Sequence, residues 1–253
     1  MKKGGKGLRT TFLSEDNDTL DIDYYYPDGY EKGIDLAAMV WFYGGGWLKG
    51  DINAMKGFIE PFRRAGYICI CPQYRTFETH GTTAFEAAED AASATKFIVE
   101  NAEKYGVNTK RLIGCGHSAG GHVVAIIECN PDYGVMGTYT VLALSCPVLD
   151  TSPNGYGYNR IGAGYEKISP LLTLQKIPPT IICHGEADNV ACYQNAWDFT
   201  VKALKAGCIC QLDSFAEETH GFHKYKRSNQ IRNEKIFAFL KALRLDLPVG
   251  KED

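Results

Sequence analysis

Apolar residues follow two different periods along the chain. In residues 8–12 and 20–26 they alternate with polar ones, so that the apolar side chains of each segment share one face. This period of two predicts an antiparallel pair of strands with one buried face. Residues 36–43 are apolar almost without interruption. Such a run is typical of a parallel strand that is covered on both sides.

Strand-like and helix-like segments alternate after residue 43. Further buried strands are predicted at residues 67–71, 111–113, 140–146, 180–183 and 208–215. Helical spacing predicts helices at residues 55–65, 84–105, 123–129, 168–175, 193–206 and 229–243. The total of eight strands, six of them alternating with helices, predicts an α/β fold with a mostly parallel sheet and helices on both faces. Because no linker or internal repeat interrupts the pattern, we expect a single domain over residues 1–253.

Composition narrows the class of protein. The 253 residues are 45% hydrophobic and 23% charged with a net charge of −3, which is ordinary for a globular protein. This charge balance predicts neither a nucleic-acid partner nor an anionic membrane surface as partner. No apolar stretch has the length needed to span a bilayer, and the basic N-terminus lacks the apolar segment of a signal peptide.

Cysteine usage indicates the compartment. Six of the nine cysteines lie in apolar runs, where a thiol behaves as a small buried hydrophobe: Cys69, Cys71, Cys146, Cys183, Cys208 and Cys210. No Cys-x-x-Cys pair is present, so neither a disulfide framework nor a metal site is favoured. The pattern predicts a reducing environment, and we expect a cytoplasmic protein.

Residues 116–120 read Gly-His-Ser-Ala-Gly and lie between a predicted strand and a predicted helix. This Gly-x-Ser-x-Gly pattern is typical of a sharp strand-to-helix turn that lifts a serine hydroxyl to the carboxyl edge of a parallel sheet. The glycines let strand and helix pass closely. Ser118 is therefore a candidate nucleophile, but so short a pattern also arises by chance, and its partners decide the question.

A serine nucleophile needs a base and an orienting acid, which are expected on loops after later strands. Asp188 follows the seventh predicted strand and His220 follows the eighth. They stand in the chain order serine, acid, histidine that such a turn requires. Glu186 is an alternative to Asp188, and His223 is an alternative to His220.

Glycines 44–46 follow the third predicted strand and precede Trp47. Backbone N–H groups in such a loop suit the binding of a developing oxyanion, and the N–H of Ala119 is the other expected donor. A phosphate-binding loop is the alternative. It is disfavoured because no Gly-Lys-Ser/Thr follows and Gly-x-Gly-x-x-Gly does not fit.

Together, the glycine loop, the serine turn and the Asp188 and His220 loops resemble the α/β-hydrolase superfamily. Within it the chain is similar to hormone-sensitive-lipase-like esterases and to the small carbohydrate (acetyl or feruloyl) esterases related to them. The resemblance extends from the third strand to the last helix. It implies an α/β-hydrolase fold in which Ser118 is the nucleophile, His220 the general base and then acid, and Asp188 the orienting carboxylate.

The resemblance also ranks the alternatives for acid and base. Asp188 is favoured over Glu186 because the residues after it match the Asp-x-Val setting of the family. His220 is favoured over His223 because it stands in a His-Gly-Phe context. No metal and no organic cofactor is implied.

An oxyanion hole of Gly45, Gly46 and Ala119 is implied as well, with two departures from the family. Tyr43 stands where the family usually has histidine, so the hydrogen bonds that brace the glycine loop must differ. Hormone-sensitive-lipase-like enzymes carry a long N-terminal cap segment, for which the sequence leaves little room before the first strand. This second departure favours the smaller carbohydrate-esterase branch.

Residues 149–168 show no clear periodicity and lie where related enzymes insert a lid. Their aromatic, amide and cationic side chains suit an acyl or alcohol pocket: Tyr156, Tyr158, Asn159, Arg160 and Tyr165. We take Tyr156 and Tyr158, together with Trp47 of the glycine loop, as candidate substrate-binding residues. The alternative is that the segment only covers the edge of the sheet.

Other chemistry-bearing residues are expected to be structural. His117 and His122 flank the serine, and His184 is expected to brace the acid loop. His80 lies in a polar loop and receives no role. Asp90 lies on the helix at 84–105 and is expected to be a solvated helix residue.

These residues predict a serine carboxylic-ester hydrolase that acts through an acyl-enzyme on a small-molecule ester. The short lid favours acetyl-type acyl groups, with carbohydrate esters as one class. An amide-directed hydrolase, resembling kynurenine formamidase or a peptidase, is the first alternative on the same residues. A non-catalytic binding protein of the same fold is the second alternative. The oligomeric state is not predicted.

Overall fold

A computed structural model describes residues 7–245. Eight strands form one sheet in the spatial order β1-β2-β4-β3-β5-β6-β7-β8. Pairing is antiparallel between β1 and β2, as the apolar alternation predicted, and also between β2 and β4. The other pairs are parallel, so the sheet is mostly parallel as expected. The strands are β1 Gly7–Leu13, β2 Thr19–Tyr25, β3 Ala38–Phe42, β4 Ile68–Pro72, β5 Leu112–His117, β6 Val141–Ser145, β7 Thr180–Gly185 and β8 Cys210–Phe215.

The central strands β3 to β7 are buried at every position. This burial requires cover on both faces of the sheet, which the helices between the strands provide. Within residues 7–245, no helix combines the length and the apolar character that crossing a lipid bilayer requires. The helices are α1 Lys56–Arg64, α2 Phe77–His80, α3 Ala84–Glu100, α4 Ala102–Tyr105, α5 Ala119–Cys129, α6 Tyr158–Ile161, α7 Tyr165–Ile168, α8 Pro170–Thr173, α9 Tyr193–Lys205 and α10 Lys226–Ala242.

Strand β5 and helix α5 lie so close together that side chains do not fit between them. A Cβ atom on Gly116 would lie 2.3 Å from the carbonyl oxygen of Gly120, and one on Gly114 would lie 2.7 Å from a methyl carbon of Val124. Both distances are shorter than any real contact, so glycine is required at these positions. The close approach fixes the direction in which the chain turns from β5 into α5.

Some element boundaries differ from those predicted. The helix predicted at 84–105 is interrupted at Asn101, whose side-chain amide donates to the carbonyl oxygen of Phe97 at 2.9 Å. Such a side-chain bond competes with the helical backbone pattern. Strand β5 runs to His117, beyond the predicted 111–113. Gly114 and Gly116 interrupt the apolar pattern in the sequence, but both lie in the strand, where close packing leaves no room for a side chain.

Asp90 is a correction to the sequence-based interpretation. Its side chain is fully buried rather than solvated, and it accepts two hydrogen bonds from Arg75, from the backbone N–H at 2.8 Å and from Nε at 2.9 Å. Arg75 also contacts Asp16 at 2.6 Å and Asp18 at 3.1 Å in the β1–β2 turn. The buried ion pair therefore ties the N-terminal hairpin to helix α3.

We expect Asp90→Ala to lower the free energy of unfolding by about 3 kcal/mol, because it leaves the Arg75 guanidinium buried without its main partner. Asp16→Ala is the matched control, since Asp16 is 64% exposed, and its loss should cost less than about 1 kcal/mol. Urea unfolding of both variants measures the difference. Equal destabilisation by the two substitutions would contradict this view of the pair.

The cysteines are distributed as the apolar pattern predicted. Of the six singled out, five are buried, and Cys208 is partly exposed. All nine thiols are free. The seven buried thiols contribute to the core as small apolar side chains, whereas Cys192 is exposed.

Candidate active site

Ser118, His220 and Asp188 meet at the carboxyl edge of the sheet. Ser118 follows β5, Asp188 follows β7 and His220 follows β8, so three separate loops supply them. His220 Nε2 lies 2.8 Å from Ser118 Oγ, and His220 Nδ1 lies 2.7 Å from Asp188 Oδ2. The first of these bonds joins positions 102 residues apart.

The hydrogen bonds among Ser118, His220 and Asp188 show which ring nitrogen of His220 carries the proton. Hydrogen bonds hold the pKa of Asp188 below its usual range, so its carboxylate only accepts, and His220 Nδ1 must carry the proton. Nε2 of the neutral ring is then the acceptor for the Ser118 hydroxyl. The imidazole is thus set in the one tautomer that can remove the serine proton.

The backbone of Ser118 is strained. Its φ of 56° and ψ of −120° lie outside the regions that side chains other than glycine readily adopt. The Ser118 N–H donates to the Ser145 carbonyl at 3.0 Å, while its own carbonyl accepts from Val148 at 3.2 Å and from His122 at 3.0 Å. Bonds to β6, to the loop after it and to helix α5 therefore hold this conformation, and such strain concentrates at functional sites.

Asp188 is held by its own loop. Its Oδ1 accepts from the Val190 N–H at 2.8 Å and the Ala191 N–H at 3.0 Å, and its Oδ2 lies 3.1 Å from His184 Nε2. Burial opposes ionisation, but the hydrogen bonds from His184, His220 and Val190 hold the pKa of Asp188 well below its usual range. The predicted bracing role of His184 is confirmed, since its Nε2 also lies 2.8 Å from the Ala191 carbonyl oxygen.

The alternatives left by the sequence occupy other positions. Glu186 is exposed, and its backbone N–H bonds to Phe215 in β8. The ring of His223 packs on His117 and Phe58 rather than against the serine hydroxyl. The geometry therefore brings Asp188 and His220 to Ser118 and leaves the other two aside.

A cluster of rings behind the triad was not anticipated from the sequence. His117 lies 5.2 Å from His220 and 4.3 Å from His223, ring to ring, and Arg232 stacks 4.5 Å over Phe58. Burial, with the neighbouring His223, keeps the pKa of His117 well below its usual range. Burial and Arg232 lower the pKa of His223 to about 4. Both rings are therefore neutral near pH 7 and do not repel a proton arriving on His220.

The glycine loop contacts the serine turn directly. A Cβ atom on Gly44 would lie 3.1 Å from Ser118 Cβ, and one on Gly45 would lie 1.9 Å from the Lys49 carbonyl oxygen. Gly45 and Gly46 have φ of 136° and 64°, and within residues 7–245 neither amide donates a backbone hydrogen bond. The loop therefore presents free N–H groups beside the serine, next to Ala119 at the start of α5.

A pair of tyrosines braces this loop where the family usually has histidine. Tyr43 and Tyr74 stack with ring centroids 4.1 Å apart, and each hydroxyl donates to the carbonyl oxygen of the other residue. The Tyr74 N–H also donates to the Tyr43 hydroxyl at 3.1 Å. Because both side chains are buried, these reciprocal bonds anchor the start of the glycine loop to the segment after β4.

The structure brings together two of the three residues predicted to bind substrate and leaves the third apart. Trp47 is buried edge-on against His122, with ring centroids 4.8 Å apart, and it lines a cavity beside the glycine loop. Tyr156 lies next to Gly46 and packs on Trp47 at 5.6 Å. Tyr158 does not line that cavity. It is 38% exposed and packs on Tyr165.

A solved structure shares this architecture almost throughout. The propionate-bound esterase Est2 of Thermogutta terrifontis superposes with a TM-score of 0.87 at 27% identity, covering 98% of this chain and 97% of that one. The same esterase phosphorylated by paraoxon matches with a TM-score of 0.86 at 26% identity, covering 97% and 96% of the two chains. The chain has the α/β-hydrolase fold of this esterase. Phosphorylation by paraoxon is a reaction that serine hydrolases undergo.

Comparisons of the sequence also find esterases. A family model described as BD-FAE matches residues 21–134, which include the glycine loop and Ser118. Ethyl acetate hydrolase of Pseudomonas putida is 27% identical over 61% of this chain, and Esterase LipI of Mycobacterium tuberculosis is 30% identical over 41%. The matched regions span 49% and 32% of the length of those two proteins.

One group of side chains in the described part of the α/β-hydrolase has donor atoms close enough to hold a metal ion. These are buried atoms of Cys146, His184 and Asp188, all within 4.8 Å of one another. His184 and Asp188 are already hydrogen-bonded to each other and to Ala191 and His220. We therefore assign Asp188 to the hydrogen-bonded chain with His220 and His184 to its support.

Proposed function

We propose that the protein hydrolyses short-chain carboxylic esters through an acyl-enzyme on Ser118. The observation that carries the proposal is the continuous hydrogen-bonded chain from Ser118 through His220 to Asp188. The strained backbone of Ser118 at the start of α5 supports it, because the strain aims the hydroxyl away from the sheet. The names of the curated relatives, an ethyl acetate hydrolase and an esterase, support the ester as substrate.

In the acylation step, His220 Nε2 takes the Ser118 proton as Oγ attacks the ester carbonyl carbon. The imidazolium is stabilised by the Asp188 carboxylate, which accepts from Nδ1 throughout. The tetrahedral intermediate then collapses as His220 returns the proton to the leaving alcohol oxygen. The carbon–oxygen bond of the ester breaks, and the acyl group remains on Ser118.

Deacylation repeats these steps with water in place of the serine. Water gives its proton to His220 Nε2 and attacks the acyl carbon, and the Ser118 oxygen leaves with the proton that His220 returns. The products are a carboxylic acid and the free serine. The ester and one water are the reactants that balance the two steps.

The backbone N–H groups of Gly45, Gly46 and Ala119 are the proposed oxyanion donors. The free amides of the glycine loop and its contact with the serine turn support this assignment. Such donors are fixed before the reaction and act where the charge develops, so they stabilise the intermediate without reorganisation. The Tyr43–Tyr74 pair would keep them in position.

Short acyl groups are the proposed substrates, with acetyl first. Forms of Est2 bound to propionate and to butyrate support small acids at this fold's site. A match to Endo-1,4-beta-xylanase B of Butyrivibrio fibrisolvens, 31% identical over 62% of this chain, supports including carbohydrate esters. Rates on ethyl acetate, acetylated sugars and N-formyl amides would rank the ester proposal against the amide alternative. The cytoplasmic location and the lack of nucleic-acid or membrane partners stay predictions.

Paraoxon tests the proposed nucleophile. We expect one equivalent of protein to release one equivalent of 4-nitrophenol and to carry a diethylphosphoryl group on Ser118, because the activated hydroxyl attacks phosphorus as it attacks a carbonyl. A stopped assay with peptide mass spectrometry measures both. Urea-unfolded protein is the control, since it lacks the assembled triad. Ester hydrolysis in a sample whose adduct lies on another residue would refute the assignment.

A further inference from the structure

A cavity of about 330 Å³ opens beside the glycine loop. Its walls are largely apolar and come from the loop, from α2 and the start of α3, and from α6. Gly46 and Trp47 belong to both the cavity and the loop, so a substrate with its carbonyl at the serine can extend into this space. The volume accommodates a ring-sized group, and the apolar wall residues include Leu48, Phe77 and Ile161.

Arg160 is the charged residue among those that line this cavity. Its guanidinium lies 5.1 Å from the centre of the Tyr156 ring, and Tyr156 in turn lies against Gly46. The stacking orients the guanidinium at the face of a ring that touches the glycine loop. The cation is therefore held within reach of a group bound in the cavity.

Within residues 7–245, no carboxylate forms an ion pair with Arg160, although other arginines of the chain have acidic partners. Glu86, two residues after Ala84 of the cavity wall, is engaged at the start of α3, where it accepts from the Thr83 N–H at 2.7 Å. The guanidinium thus keeps donors that match a carboxylate in a bidentate geometry.

Two further residues of the cavity wall carry buried polar atoms without a hydrogen-bond partner in the described structure. These atoms are Nε1 of Trp47 and Oγ1 of Thr82. The Thr82 hydroxyl needs only a rotation about one bond to turn toward the cavity. An oxygen-bearing ligand would satisfy such a hydroxyl, whereas a purely hydrocarbon ligand would not.

We propose that this cavity selects esters that carry a carboxylate on an apolar, ring-sized body, with Arg160 pairing with the carboxylate. The inference rests on the proposed ester hydrolysis and names its substrate class. The apolar walls hold the body of the substrate, and the cation favours a carboxylate over an equally shaped neutral group through its charge and its paired donors. Arg160 is exposed, so it acts in recognition and contributes little to folding.

Two matched substrate pairs test this selection. On the alcohol side, 4-acetoxybenzoate is compared with 4-acetoxybenzamide, which has the same shape without the charge. On the acyl side, methyl hydrogen adipate is compared with methyl hexanoate. We expect kcat/KM to favour the charged member of at least one pair by about 10-fold or more, and the preference to fall at high salt. The pair that shows it identifies which half of the ester enters the cavity.

Arg160→Gln should remove this preference by lowering kcat/KM for the charged ester about 10-fold more than for its neutral counterpart. Arg160→Lys should restore part of it. Arg64→Gln is the matched control, because Arg64 is a 71% exposed arginine on α1 and does not line the cavity.

The outcomes separate the two proposals. Hydrolysis of the neutral esters without any charge preference, or with a preference that survives Arg160→Gln, would overturn the role of the cavity and leave ester hydrolysis standing. Failure to hydrolyse either member of both pairs, together with no reaction with paraoxon, would instead overturn the proposed function itself.

Discussion

Ser118→Ala should lower kcat for acetyl esters by about 10⁶-fold, to the residual rate that oxyanion binding alone supports. The change removes the attacking oxygen and little else, because Ser118 is 5% exposed and its backbone bonds to Ser145 and Val148 do not involve the hydroxyl. The fold should therefore be kept. Initial rates with 4-nitrophenyl acetate, corrected for the spontaneous reaction, measure the effect.

Ser93→Ala is the matched control for this prediction. Ser93 lies on α3, away from the carboxyl edge of the sheet, and alanine is the better helix former there. Its rate should equal that of the unchanged protein. An alanine at 118 that retained even a tenth of the rate would show that another residue is the nucleophile.

Asp188→Asn should lower kcat by about 10⁴-fold with little change in KM. The amide is nearly the same size, but its NH₂ can donate to His220 Nδ1 and so place the imidazole proton on Nε2. That tautomer cannot accept the Ser118 proton. Because the pKa of Asp188 lies well below its usual range, the carboxylate is charged at every pH near neutrality. The loss should therefore appear across the whole range from pH 6 to pH 8.

Glu186→Gln tests whether Glu186, rather than Asp188, is the acid that orients His220. Glu186 is two residues away and exposed, so its amide variant should keep the full rate. Steady-state kinetics on both variants, with paraoxon labelling as an independent readout, distinguish the two acids. Loss of activity in the Glu186 variant alone would assign the acid to that residue.

The parts of the site that the sequence predicted depend on local patterns. The succession of strands and helices along the chain follows from the apolar pattern, and the turns after β5, β7 and β8 are marked by short motifs around Ser118, Asp188 and His220. Parallel strands bring their carboxyl ends to one edge of the sheet, so loop order alone brings these residues together. For that reason the meeting of these three residues at one edge of the sheet could be anticipated.

What the sequence could not predict depends on contacts between distant segments. Asp90 has the spacing of a solvated helix residue, and only its approach to Arg75 makes it buried. The partner of Tyr43 is Tyr74, 31 residues away, and no pattern in the intervening sequence marks it. Similarly, Tyr158 and Arg160 are two positions apart on one short helix, yet only Arg160 faces the cavity. Helix orientation in residues 149–168 is set by packing, since no periodic apolar face specifies it.

The bond between Ser118 and His220 closes a span of 102 residues, and it has a consequence for how the protein matures. A chain emerging from the ribosome completes the serine turn long before the last strand, β8, is available. Until β6, β7 and β8 have paired in turn, the hydroxyl has no base and stays inert toward esters. Reactivity with paraoxon is therefore a reporter of completed folding, gained in a refolding experiment only when the C-terminal strand has docked.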